Sequence, residues 1–122
     1  EVDFTPPWKR ISFAGVLKRK FGIGPELEDA EIAEALFEQG KVKDKKLARS
    51  QIINLVEEIV EETTGMDPVF VVDYYARFSP LAKPKKDNFL IAERFELFVA
   101  GMEIANAYSE LNDPLLQRKR LQ

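Results

Sequence analysis

The sequence predicts an α+β fold, with helices first and sheet after. Three observations predict it. Apolar residues recur at helical spacing from Ser12 to about Thr64. After Gly65 the spacing switches to β-branched and aromatic runs. Glycines and prolines fall at the joints between these stretches. The expected organisation is an extended entry over 1–11, a helical segment over 12–65, and a strand, loop, β-hairpin and helix over 66–122.

Pro6 and Pro7 block a helix and mark the entry as extended. Ser12 is placed to cap a first helix through Lys20, with Phe13, Val16, Leu17 and Phe21 on one face and Gly22 as its stop. A second helix is expected from about Leu27 to Gln39, closed by Gly40. A third, from about Leu47 to Thr63, carries Ile52, Leu55, Val56, Ile59 and Val60 as its apolar stripe. The charged runs among these helices read as solvated faces. Pro68 to Tyr74 suits a buried strand. Tyr75 to Asn88 reads as a loop carrying Lys83, Lys85 and Lys86, and Trp8 reads as a packing anchor. Arg94–Val99 and Met102–Leu111 read as antiparallel strands joined at Ala100-Gly101, where Gly101 supplies a positive φ. Asn112-Asp113-Pro114 then starts a last helix.

Composition narrows the chemistry. The 122 residues contain no Cys and no His, which excludes disulfides, thiolate metal sites and every catalytic device built on imidazole. Carboxylates, Lys, Arg, Tyr and a carboxylate-held hard cation such as Mg²⁺ remain. A net charge of −3 argues against a basic nucleic-acid-binding module. No apolar run is long enough for a membrane span, and no secretion signal is visible, so a cytoplasmic location is expected. The chain opens at Glu1 without an initiator Met and stops at Gln122 in what reads as mid-helix, so a piece of a longer protein is expected.

The hairpin holds the chemistry. With a two-residue turn, Phe98 faces Glu103 and Glu96 faces Ala105, so Glu96 and Glu103 become diagonal neighbours on one face. Two carboxylates so close suit Mg²⁺ completed by phosphate oxygens and water. Simple alternation puts Asn106, Tyr108 and Glu110 on the other face. They join Glu103 only if the second strand carries a β-bulge between about Ile104 and Asn106; otherwise the hairpin has one core face and one solvent face.

Glu93-Arg94-Phe95-Glu96-Leu97-Phe98, followed by Gly101-x-Glu103-Ile104-Ala105-Asn106-Ala107-Tyr108-Ser109-Glu110-Leu111-Asn112-Asp113-Pro114, resembles the segment before motif 3 of class II lysyl-tRNA synthetases. Ser79-Pro80-Leu81-Ala82-Lys83 resembles a second block of that family, and Phe4-Thr5-Pro6-Pro7-Trp8-Lys9-Arg10-Ile11 a third, from the stretch after motif 2. The blocks fall in the family's order and frame nearly the whole chain. The resemblance implies a helical insertion followed by part of the antiparallel sheet of a class II aminoacyl-tRNA synthetase catalytic domain.

It also implies roles. Glu96 and Glu103 correspond to the residues that hold ATP and Mg²⁺, and Asn106, Tyr108 and Glu110 to the lysine-binding set. Glu110 suits the substrate ε-ammonium, Tyr108 its methylene stem and Asn106 the amino-acid head. The implied reaction joins lysine and ATP as lysyl-adenylate and then charges lysine tRNA, in a homodimeric parent. Two positions depart from the family pattern: Met102, where a basic residue is frequent, and Tyr75, where proline is common. Motifs 1, 2 and 3 and an anticodon-binding domain are not in the sequence, so the 122-residue chain alone is expected to be inactive. Three other readings compete: a synthetase paralogue that lysylates a protein, a noncatalytic interaction domain derived from a synthetase, and a generic α+β module.

Overall fold

The computed structural model describes residues 1–122 and holds four helices and a four-stranded sheet. In chain order these are β1 (Lys9–Ser12), α1 (Phe13–Phe21), α2 (Asp29–Glu38), α3 (Arg49–Glu61), β2 (Val69–Val72), a short 3₁₀ turn (Ala76–Phe78), β3 (Arg94–Val99), β4 (Met102–Tyr108) and α4 (Pro114–Leu121). The fold is α+β, as the sequence predicts. No helix is long and apolar enough to cross a membrane.

Local chemistry sets the helix ends. Ser12 Oγ accepts from Gly15 N–H at 3.0 Å, and Gly22 closes α1 with φ 65°. The second and third helices begin two residues later than the apolar pattern suggests. Glu31 reaches back to the N–H of Glu28 at 2.7 Å, and Gln51 to that of Ala48 at 2.8 Å, which fixes those starts. Asp113 caps α4 by accepting from Leu115 and Leu116.

The sheet order is β1-β2-β3-β4. Two of its three pairings are antiparallel, but β1 runs parallel to β2, with Lys9 opposite Val69 and Ser12 opposite Val72. The sheet is therefore mixed, and the end of the expected extended entry is its first strand. A parallel partner needs a long crossover, and α1, α2 and α3 supply it.

One apolar core joins helices to sheet. Phe13, Val16 and Leu17 of α1, Ile32 and Leu36 of α2, and Ile52, Val56 and Val60 of α3 close over Val69, Val71 and Phe98. Tyr74 and Tyr75 enter the same core, where Phe13 stacks on Tyr74 at 4.7 Å and meets Tyr75 edge-on at 5.4 Å. Trp8 packs near Phe70 at 5.9 Å on the other side of the sheet, and Phe70 meets Phe95 there at 5.7 Å. Every residue of β4 is exposed.

Candidate functional site

The β3–β4 turn places Ala100 at φ 55° and Gly101 at φ 72°. Positive φ at both centres gives the strand twist a two-residue hairpin needs. From it Val99 pairs with Met102 and Phe98 with Glu103, as alternation requires. The register then shifts. Leu97 pairs with Ala105, leaving Ile104 as the extra residue of a bulge.

The bulge decides which side chains meet. Glu96 lies opposite Asn106, not opposite Ala105 as simple alternation gives, and Arg94 lies opposite Tyr108. Directly paired residues share a face, so Arg94, Glu96, Glu103, Asn106 and Tyr108 all stand on one side of the hairpin. Of the five residues the sequence singles out, Glu96 is buried and Glu103, Asn106, Tyr108 and Glu110 are exposed. The strand ends at Tyr108, earlier than the expected Leu111. Glu110 bridges to Ala82 in the loop instead, flanked by bonds from Lys83 N–H to Ser109 C=O and from Leu111 N–H to Leu81 C=O.

Arg94 organises this face. Its guanidinium forms an ion pair with Glu96 Oε1, donates to Ser79 Oγ at 2.9 Å and to Asn106 Oδ1 at 3.1 Å, and lies 4.4 Å over the Tyr74 ring. The Tyr74 hydroxyl donates to Glu96 Oε2 at 2.8 Å. Burial, followed by the charge of Glu96, drives the Tyr74 phenol far above its ordinary range, so it stays a donor. Arg94, Tyr74 and Ser79 were not among the expected site residues. The available signal was Arg94's place two residues before Glu96, which puts both on one strand face.

Helix α3 adds negative charge. Burial raises the carboxyl of Glu57 above its usual range; Arg94 opposes this, while Glu96, Glu61 and Glu103 reinforce it. Burial also raises Glu61, with repulsion from Glu96 and Glu103. No group of three or more acidic, His or Cys side chains forms a ready metal nest. The donor set nonetheless suits Mg²⁺. A carboxylate offers about four lone-pair sites, and Arg94 and Tyr74 occupy only part of that capacity on Glu96. Mg²⁺ is commonly held by one or two carboxylates, with water and substrate phosphates completing the shell.

A hollow of about 730 Å³ opens among Arg10, Asp73, Lys85, Glu93, Arg94 and Tyr108, and neither Glu96 nor Glu103 lines it. Lys85 and Asp73 pair at its edge at 2.7 Å. The hollow carries charges of its own and shares Arg94 and Tyr108 with the carboxylate face; the carboxylate face is the better candidate because it alone brings Glu96, Glu103 and Asn106 together.

Comparison with known proteins agrees with this architecture. Residues 1–122 match the family of class II tRNA synthetases (D, K and N), and the chain belongs to that family. Lysine–tRNA ligases are among its similar curated relatives. That of Clostridium perfringens strain SM101 is 40% identical over 127 residues, covering 100% of this chain and 25% of the relative. That of Moorella thermoacetica is 42% identical over 125 residues, covering 99% and 25%. That of Thermotoga maritima is 40% identical over 120 residues, covering 98% and 24%. The chain thus spans about a quarter of the length of these relatives.

Proposed function

We propose that this chain forms the lysine- and ATP-binding wall of a lysine–tRNA ligase. The observation that carries the reading is the bulge at Ile104, which sets Asn106 opposite Glu96 and gives Glu96, Glu103, Asn106 and Tyr108 a common face. In this reading 12–65 is the helical insertion and 66–122 the partial catalytic core. The complete enzyme is a cytoplasmic homodimer acting on lysine, ATP and lysine tRNA.

Glu96 and Glu103 would hold Mg²⁺, which arrives with the nucleotide and supplies a Lewis acid for its phosphates. The chain's own contribution is to orient. Arg94 and Tyr74 hold the Glu96 carboxylate at a fixed angle on the strand. Asn106 offers the amino-acid head a hydrogen-bonding amide, Tyr108 lays its ring along the methylene stem, and Glu110 neutralises the ε-ammonium. Adenylation needs no side-chain nucleophile. It needs the lysine carboxylate held in line with the α-phosphate, which suits a chain without Cys or His.

The test is a graft. This chain replaces the matched stretch of the Thermotoga maritima lysine–tRNA ligase, and lysine-dependent ATP–pyrophosphate exchange is measured. Exchange by the graft, abolished by Glu103→Gln and starved of lysine affinity by Glu110→Gln, is the expected result. A folded graft that binds neither lysine nor ATP would refute the reading.

A further inference from the structure

We propose that Arg94 is a positioning residue shared by two binding functions: it holds the Glu96 carboxylate and fixes the Asn106 amide with its N–H donors free for an amino-acid carboxylate. What occupies the site rests on the ligase reading above; the positioning rests on geometry. Arg94 has no acceptor atom, so its Nε contact of 3.1 Å commits the Asn106 carbonyl oxygen inward. The Asn106 NH₂ group must then face outward from the exposed end of the pair. An amide in that orientation donates to a carboxylate; the flipped amide would present oxygen and repel it.

The same guanidinium is held from several sides. Its Nη1 donates to Ser79 Oγ at 2.9 Å, its Nη2 to Glu96, and its plane covers the Tyr74 ring at 4.4 Å. The side chains of Arg94 and Glu96 are only 11% and 8% exposed, so little water competes. Restraint along several directions is what a planar fork provides and an ammonium does not. Lysine at this position would keep the charge beside Glu96 but could not hold Glu96, Ser79 and Asn106 together.

That difference supplies the experiment. Arg94→Lys and the charge-balanced pair Arg94→Met/Glu96→Gln are made in the 122-residue chain, and the side-chain amide signals of Asn106 are followed by ¹⁵N NMR. Expected in both is a folded protein whose Asn106 NH₂ signals move to the position of a freely rotating amide. Unchanged Asn106 signals in folded Arg94→Lys would overturn the proposal. In the Thermotoga maritima graft, Arg94→Lys is expected to raise the KM for lysine about tenfold with a smaller change in kcat. An equal fall in kcat with KM unchanged would reduce Arg94 to a structural ion pair and overturn the proposal while leaving the ligase reading intact. A wild-type graft without exchange activity would instead sink the ligase reading, and the assigned carboxylate ligand with it.

Discussion

The hydroxyl of Tyr75 donates to the backbone carbonyl of Ile23 at 2.6 Å, joining two buried residues far apart in the sequence. Ile23 follows the glycine stop of α1, so this bond ties the helical layer to the start of the loop after β2. A proline here, the residue the family resemblance implies as common, would have neither the hydroxyl nor the aromatic ring that fills this space. Tyr75→Phe leaves a buried carbonyl without its partner. It should destabilise the chain by about 1–3 kcal/mol, seen as a lower urea midpoint with unchanged slope. An unchanged midpoint would show that the bond contributes nothing.

Ala100 occupies a left-handed conformation at φ 55°. Residues with a Cβ are strained there, and asparagine tolerates the region better. Ala100→Asn should therefore stabilise the hairpin by about 0.5–1 kcal/mol. A thermal midpoint at or below that of the parent chain would contradict the turn geometry.

Glu57 makes stability depend on pH. Its carboxyl is raised in the folded chain above the ordinary value of 4.5, by burial first and then by the surrounding carboxylates. The folded state therefore binds the proton more tightly than the unfolded state. The favourable contribution is complete below about pH 4.5 and fades as pH rises through the raised value. Glu57→Gln removes that loss. The variant should exceed the parent in stability at pH 7, and the advantage should shrink on acidification toward pH 4.5. A difference independent of pH would mean that Glu57 is not the group responsible.

Deleting Ile104 removes the bulge residue and restores plain alternation along β4 without changing the partners, since Glu103 still meets Phe98, Ala105 meets Leu97 and Asn106 meets Glu96. Asn106 and Tyr108 therefore keep the face of Glu96. In the graft the deletion should leave lysine-dependent exchange within about tenfold of the parent, with the far-ultraviolet circular dichroism retained. A loss of about 100-fold or more in a folded deletion variant would show that the shared face alone is not what the reaction uses.

By itself, the 122-residue chain should yield no lysine-dependent ATP–pyrophosphate exchange at any Mg²⁺ concentration, because in the proposed ligase reading its sheet supplies only one wall of the site. Measurable exchange would show that this wall suffices.

Much of the fold is legible in local chemistry. Ser12, Gly22 and the Ala100-Gly101 pair carry their caps and turn in their own side chains or dihedral freedom, so the sequence near them suffices. β1 is different. Lys9 and Arg10 are exposed, and only pairing with distant Val69 and Phe70 makes that stretch a strand. The bulge is legible as a condition for one site, but its place is not, because residue type favours small Ala105 whereas the register leaves Ile104 unpaired. Arg94 is hard to read from sequence for a related reason. Its role depends on Ser79 and Tyr74, which reach it through tertiary packing and not through sequence spacing.

The parallel pairing of β1 with β2 has a kinetic consequence. Lys9 can meet Val69 only after the chain between them has closed on itself, and closing so long a segment costs entropy before any contact repays it. The β3–β4 hairpin, joined by two residues, carries no such delay. Folding should therefore run from the C-terminal hairpin toward the N-terminus, with β1 docking last. The face bearing Glu96 and Asn106 would be built before the sheet edge at β1 is complete.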